Sequence, residues 1–365
     1  MIRLGSKERR IPVEIKEEIL MKLKGKCISK FISVSKSWSS IVCSKRFTNL
    51  YLNRSMARPR ILFSLTVRGD NEMQLFYSCS QEDPSSDHQT VSCHPLNHDD
   101  WFESYPPVRG LLCCLNDNNR VMIGNPTTCQ FITLPRVQTV RKDINYFFGY
   151  DPVNGEYKVL CMTVPCHSTS SVLVSQEHQV FTLGARRKEW RKIECKHPHF
   201  ANPRTQWLCS NGVVYYIAWI GKVPSLMCFD VGSEKFSVIK LPSDGYVQYL
   251  SHYGEKIAAA NVLVTGTLDL WVLEDASKPH WSPVSIVIPS WTDSYGEFDF
   301  FILRGRLGTG ELVFAPAFVT DPFYILCYDL KENKARKIQI EGIGTHLTHI
   351  HVYLDHVESP MFLEL

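Results

Sequence analysis

The sequence predicts an α+β multidomain chain: a small all-α module over residues 1–55, then an all-β repeat domain over 56–365 built as a propeller. Three observations predict it. Apolar residues recur at helical spacing only in the first fifty residues. Beyond Arg58-Pro59-Arg60, short β-branched and aromatic runs alternate with Gly, Pro, Asn and Asp. Throughout that longer region a single phrase keeps returning, an aromatic residue followed three positions later by an aliphatic one.

Near the N-terminus, Ile15, Ile19 and Leu23 stand four apart, with Leu20 beside Leu23. Ile28/Phe31, Phe31/Val34 and Trp38/Ile41 continue at a spacing of three. Pro12 stands at the entrance of the first helix, where its missing N–H costs nothing. Gly25 is expected to end that helix just after Leu23. Ser35, Ser37, Ser39 and Ser40 are weak helix formers, so the turn around Trp38 needs tertiary support. Three or more short helices in so few residues are marginal alone and gain from packing on a partner or on the next domain.

The run from Ile61 to Val67 opens the β region, and the polar residues 80–100 read as a long surface loop. The recurring phrase is Phe131/Leu134 with Pro135, Trp190/Ile193, Phe236/Ile239 with Pro242, Trp281/Val284 and, degenerated, Ala335/Ile338. A hydrophobic run and a polar turn precede most copies, as in 228–236, 271–281 and 327–335. A further run, often led by Gly, comes earlier, as in 109–115, 211–219 and 310–318. The anchors lie roughly 45–60 residues apart, enough for one four-stranded blade, and kelch-type repeats run ~50. A single meander cannot bury both faces, and stacking around an axis solves that while protecting strand edges. A β-sandwich of similar strands is the competing arrangement.

Composition narrows the function. A net charge of +3 does not point to nucleic acid or a membrane surface as partner. No apolar segment follows the basic residues of the first fifteen. The most apolar stretch, 213–220, is far short of the ~20 residues that span a bilayer, so a soluble intracellular chain is expected. The 13 cysteines are scattered through strand-like runs and read as buried free thiols. Cys195-Lys196-His197-Pro198-His199, the His346/His349/His351 group and Cys161, Cys166 and His167 lack the paired spacing of zinc sites. No metal and no cofactor is expected. There is no G-x-S-x-G elbow, Walker loop or H-E-x-x-H helix. Asp269, Glu274 and Asp275 read as turn residues, and the basic runs 7–10 and 186–188 as solvated faces.

The strings Ile11-Pro12-Val13-Glu14-Ile15-Lys16-Glu17-Glu18-Ile19-Leu20, Lys26 to Phe31, and Val34-Ser35-Lys36-Ser37-Trp38 resemble the F-box of plant F-box proteins. The remainder is similar to the F-box-associated domain of the same family. Arg109-Gly110-Leu111-Leu112-Cys113, Gly124-Asn125-Pro126-Thr127-Thr128, Phe148-Gly149-Tyr150-Asp151-Pro152, Glu156-Tyr157-Lys158-Val159-Leu160 and Phe181-Thr182-Leu183-Gly184 carry that likeness. The resemblance implies a non-catalytic subunit of an SCF-type ubiquitin ligase. Its helices would bind a Skp-type adaptor, and the cullin scaffold through it, and its β domain would select a client protein.

Two departures stand out. The family's Leu-Pro is Leu23-Lys24 here, and its basic-Cys pair before Val is Ile32-Ser33. Ile11, Pro12, Ile15, Ile19, Leu23, Val34 and Trp38 are expected to face the adaptor or support that face, though some must form the module's own core. Client contacts are expected from loops 80–105, 163–178 and 289–298, the last with Trp291 and Tyr295; plain solvated connections are the alternative. Two other functions compete: an interaction scaffold that no longer joins a ligase, and a sugar-binding or enzymatic propeller. The latter needs a convergent polar pocket at the axis.

Overall fold

The structure is a computed structural model. It describes residues 11–364 apart from 68–72, 87, 96–101, 117–119, 140–142, 165–176, 202–205, 243–246, 262–265, 277–278, 289–299, 321 and 342–346.

The helical module comprises α1 (Val13–Met21), α2 (Gly25–Ile28), a 3-10 turn (Ser29–Ser33), α3 (Lys36–Val42) and α4 (Lys45–Met56). The serines that disfavour helix interiors serve at the ends. Ser35 Oγ accepts from Trp38 N at 3.5 Å and Ser44 Oγ from Phe47 N at 3.1 Å, so each caps the helix that follows it. Leu20, Ile28, Ile41, Val42, Phe47 and Tyr51 form the module's core.

Gly25 does not end the first helix. That helix stops at Met21, and Gly25 is the first residue of α2. Its missing side chain permits a close approach instead, since a Cβ there would stand 2.4 Å from the Thr127 methyl. Lys24, which replaces the family's proline, holds φ −67° and ψ 145°, a conformation that a proline also adopts. The turn therefore keeps its path without the ring.

The β region forms six four-stranded antiparallel sheets among the described residues, and each sheet is a blade. The first contains β1 (Arg60–Val67), β2 (Met73–Ser80) and β3 (Gln89–Pro95). Its fourth and innermost strand, β24 (Leu347–His356), comes from the other end of the chain and pairs antiparallel with β1. The second blade contains β4 (Phe102–Ser104), β5 (Leu112–Asn116), β6 (Val121–Asn125) and β7 (Gln130–Thr133). The third contains β8 (Asp143–Asp151), β9 (Glu156–Val164), β10 (Glu177–Thr182) and β11 (Arg191–Ile193). The fourth contains β12 (Trp207–Ser210), β13 (Val213–Ile220), β14 (Val223–Asp230) and β15 (Lys235–Lys240). The fifth contains β16 (Tyr249–Tyr253), β17 (Lys256–Ala260), β18 (Thr267–Asp275) and β19 (His280–Val287). The sixth contains β20 (Phe301–Arg306), β21 (Leu312–Pro316), β22 (Tyr324–Asp329) and β23 (Lys334–Gln339).

This is a propeller and not a sandwich. The first strands β8, β12, β16, β20 and β24 meet in succession around one axis. Apolar clusters fill each gap between neighbouring blades: Leu62 with Leu112, Cys113 with Phe148, Phe147 with Tyr216, Leu226 with Leu250, Phe301 with Leu270, and Phe63 with Ile325. Both faces of most sheets are thereby buried, and β24 removes the open edge that β1 would leave.

The recurring phrase marks the outermost strand of blades two to six. Its tryptophans act as clamps between blades. Trp190 Nε1 donates to the Pro135 carbonyl at 2.7 Å, and Trp281 Nε1 to the Lys240 carbonyl at 2.9 Å. Each acceptor lies four residues after the preceding blade's anchor, Phe131 or Phe236, so the same bond recurs in register. Hairpin turns repeat as well. Asp151, Asp230 and Asp329 accept backbone N–H groups two or three residues on, and Gly155, Glu234 and Asn333 follow at positive φ.

Some of the stretch expected to be a loop is a strand. Gln89–Pro95 is the outermost strand of the first blade, paired to β2 as Phe76↔Ser92 and Leu75↔Cys93. An outer strand with solvent on one side carries polar residues, which made it read as a connection. Cys79, Cys113, Cys114, Cys161, Cys228 and Cys327 are buried free thiols. No described helix is long and apolar enough to cross a membrane.

Candidate functional site

The helical module exposes an unusual amount of apolar surface. The inner face of α1 carries Lys16 and Leu20, yet its outer face is also apolar. Ile15 is 47% exposed and Ile19 39%; Ile11 and Val13, at the entrance, are each 46% exposed, and Val34 is 61% exposed. Pro12 is exposed beside them. A helix apolar on two faces has one face left over once its own core is satisfied.

The other two residues expected on this face are placed differently. Leu23 and Trp38 are half-buried and pack against the module's core. Trp38 lies 5.0 Å from the Phe31 ring, and the Lys16 ammonium sits 5.3 Å from its indole. Lys16 Nζ also donates to Ser37 Oγ at 2.7 Å, which ties α1 to α3. This packing is the tertiary support that the serine-rich turn requires. Val13 is an exposed apolar residue that the sequence pattern did not single out, although its position two residues before Ile15 placed it at the helix start.

The module is fastened to one end of the ring. After β24 the chain runs as an extended tail, and Glu358 in that tail holds the seam. Its carboxylate accepts from Gly25 N at 2.8 Å and from the Tyr51 hydroxyl at 3.1 Å. Its own N–H donates to Ser55 Oγ at 2.7 Å. Burial first, and then the Glu358 carboxylate, hold the Tyr51 phenol well above its ordinary pKa. On the ring side, Asn125 Nδ2 donates to the Ser359 and Met361 carbonyls at 3.0 and 2.7 Å. Phe362 packs on the module's core. Gly110, at φ +86° in the first-to-second-strand turn of blade two, lets the Val357 carbonyl come within 2.7 Å of where a Cβ would stand. Nothing in the tail's composition signals this role.

The turns between first and second strands face the module. Met56 and Pro59 share a cavity with Arg109, Pro152, Gly212 and Gly254, and Arg58 shares another with Gln81 and Gly308. By strand alternation, β9 and β19 run away from the module, so they end at the opposite end of the ring. Those are the strands that lead into two of the expected client loops. Trp291 and Tyr295 lie outside the described residues, as does most of 163–178. The third loop divides. Gln81 is buried and bonded to the Leu354 carbonyl and to Gly308 N, on the module side of the ring.

The axis holds a small polar cavity of about 80 Å³. Glu103, Ser104, His252, Arg304, His351, Tyr353 and Asp355 line it with several apolar residues. Tyr353 OH donates to the Ser104 carbonyl at 2.5 Å, and Ser104 Oγ to Ser64 Oγ at 2.6 Å. The Arg304 Nε has no hydrogen-bond partner among the described residues, and enclosure lowers its pKa. Burial, and then the Arg304 charge, push His351 down to about 4, so its ring is neutral at pH 7.

The histidine–cysteine groups that lack zinc spacing in the sequence fare differently, and Cys166 and His167 of one of them lie outside the described residues. His346 lies outside the described residues, and His349 and His351 sit on the innermost strand of the first blade. Cys195 and His199, however, are joined by His178 from β10, and the ligand-type atoms of all three lie within 4.8 Å of one another. The sequence could not reveal this partner, because strand pairing and not spacing delivers it.

Comparison with known proteins gives a consistent result. Residues 9–50 match the F-box domain, and residues 60–357 match the F-box associated beta propeller domain. The F-box/kelch-repeat protein At3g04660 of Arabidopsis thaliana is 47% identical over 368 residues, which cover 97% of this chain and 93% of that protein. Two further Arabidopsis thaliana proteins, the F-box protein At3g61340 and the F-box protein DOR, are 35% and 33% identical; the matches cover 97% and 96% of this chain and 93% of each relative.

Proposed function

We propose that this chain, which belongs to the family of F-box proteins with an F-box associated β-propeller, is the substrate receptor of an SCF-type ubiquitin ligase. Its helices dock a Skp-type adaptor, and the cullin scaffold through it. The propeller holds a client protein by the loops at its far end. The chain performs no chemistry itself. Holding the client beside a ubiquitin-charged enzyme raises the effective concentration of its lysines.

The observation that carries this reading is the leftover apolar face of the module. Ile11, Ile15, Ile19 and Val34 stay exposed after the module's core and its seam with the ring are complete. Leu23 and Trp38 support the face from behind. A buried aliphatic anchor at such an interface is worth about 1–3 kcal/mol. The test is co-purification with a Skp-type adaptor at micromolar concentration. Wild-type protein should bind, and an Ile15→Asp/Ile19→Asp variant should lose at least about tenfold in affinity while its circular dichroism is unchanged. Absence of binding by folded wild-type protein would leave the scaffold reading in its place.

The axial cavity favours a second reading for the propeller, in which it also binds a small polar molecule. Saturable binding of a sugar or a carboxylate that is abolished by Arg304→Met would support it.

A further inference from the structure

We infer that His178, Cys195 and His199 form a metal site for a borderline cation of the zinc type, which pins the third blade to the segment that leads into the fourth. His178 comes from β10, and the other two from the segment that links β11 to β12. All three ligand-type atoms lie within 4.8 Å of one another, and Cys195 Sγ is 3.9 Å from His199 Nδ1. Zinc bound tetrahedrally at about 2.3 Å from sulfur and 2.0–2.1 Å from nitrogen places its ligands roughly 3.3–3.8 Å apart. The group needs to tighten by roughly 1.5 Å at most. The His197 carbonyl oxygen accepts from His199 Nδ1–H at 2.7 Å and from the Cys195 thiol at 3.3 Å, so both protons point into one spot, and a cation entering there displaces the thiol proton and moves the imidazole proton from Nδ1 to Nε2.

The surroundings suit a cation held by neutral imidazoles. His199 Nε2 lies 2.8 Å from the buried Tyr216 hydroxyl. With Nδ1 on the metal, Nε2–H donates to that hydroxyl, which fixes ring and tautomer as the outer partner of a ligating histidine does. Phe236 meets the His178 ring edge-on at 5.0 Å. Metal uptake releases one proton, from the Cys195 thiol to solvent, and leaves both imidazoles neutral.

A second, independent observation gives the site a purpose. Where Trp190 and Trp281 anchor a blade, an indole N–H bonds a carbonyl at the end of the preceding blade's outer strand or just beyond it. Between blades three and four the anchor is Phe236, which has no donor. The rings of His178 and His199 lie against Phe236, at 5.0 and 6.2 Å, where this seam lacks an indole clamp.

The experiment uses the full chain, purified with its adaptor and without chelators. Elemental analysis should find about one zinc per chain. Replacing it with Co²⁺ should give a thiolate charge-transfer band and the intense visible bands of tetrahedral cobalt. Cys195→Ser and His178→Asn should each remove the charge-transfer band or weaken metal retention at least about tenfold, while Cys209→Ser leaves both unchanged. EDTA should lower the melting temperature of wild type and not that of Cys195→Ser. Less than about 0.1 zinc per chain together with no cobalt band in folded wild-type protein overturns the proposal. So does a cobalt band that persists in Cys195→Ser. Because adaptor binding is read separately, failure here is distinct from failure of the ligase reading.

Discussion

Replacing Glu358 with alanine should loosen the helical module from the ring without unfolding either. The carboxylate has two donors, Gly25 N and Tyr51 OH, at 2.8 and 3.1 Å. They respond differently to its loss. The Tyr51 hydroxyl has one proton and already stands 2.9 Å from the Leu23 carbonyl, so it turns to that acceptor. Gly25 is buried and its N–H has no such alternative, and a buried orphan donor costs about 1–3 kcal/mol. The Glu358 N–H still bonds Ser55, and Phe362 still packs on the module, so the rest of the seam survives. A net loss of about 2 kcal/mol corresponds to local opening roughly 30-fold more often. Hydrogen exchange read by mass spectrometry is the assay. Peptides covering 13–56 should exchange faster by that factor, and peptides covering 213–230 should not change. Protection of 13–56 within threefold of wild type would refute the idea that the tail carboxylate holds the seam. Equal acceleration in the blades would show that the ring had been destabilised instead.

Other expectations follow from the same geometry. Gly25→Ala places a methyl 2.4 Å from Thr127 Cγ2 and should cost the seam about 1–3 kcal/mol by the same exchange assay. Glu234→Gly relieves a residue at φ 57° but strips the enclosed Lys158 of its nearer carboxylate, 2.9 Å away, leaving Glu156 at 3.9 Å, and Arg191 of its partner. A net loss of about 2 kcal/mol in urea denaturation is expected. Burial opposes ionisation of Glu234, but bonds from Arg191 and Lys158 prevail and lower its pKa below the ordinary 4.5. Its contribution is therefore full above that value and fades as pH falls through the folded pKa; wild type and variant should converge in acid. Trp281→Phe should cost about 1 kcal/mol through the lost bond to the Lys240 carbonyl, and a second-derivative tryptophan spectrum checks that the ring fold persists. Arg304→Met removes an enclosed guanidinium whose Nε is unpartnered among the described residues, and should raise stability by about 1 kcal/mol or more in the same denaturation.

Much of the ring was legible because each blade repeats the same local solution. An anchor in the outer strand, an Asp-led hairpin and a Gly-led second strand recur, and each has a backbone reason that composition displays. The first blade was hard to read for a physical reason. Its innermost strand lies far along the chain from the other three, and only tertiary pairing of β24 with β1 shows that they belong together. The module's periodicity marked its helices, but not which stripe faces inward. Ile15 and Leu20 are equally apolar, and packing alone leaves one exposed and the other buried. Gly25 looked like a helix stop because a glycine's two uses, left-handed backbone and close approach, are identical in sequence. Glu358 and His178 carried no local signal at all, since each acts on residues that only the closed ring brings near.

Under the proposed receptor role, the seam has a geometric consequence. The helices meet the turns at one end of the ring, and a strand of eight residues such as β13 spans roughly 26 Å toward the other. A module joined only through the short link from Ala57 to Pro59 would swing about it. A module also held by the tail from the last strand is fixed at two points in space, by the beginning and the end of the propeller's chain. A client held at the far end would then be presented at one distance and orientation to whatever binds the helices. Rigid presentation favours those lysines that lie in reach, whereas a loose joint spreads transfer over many. Loosening the Glu358 contact should thus leave adaptor affinity intact and broaden the set of modified lysines. That outcome separates a rigid spacer from a simple tether.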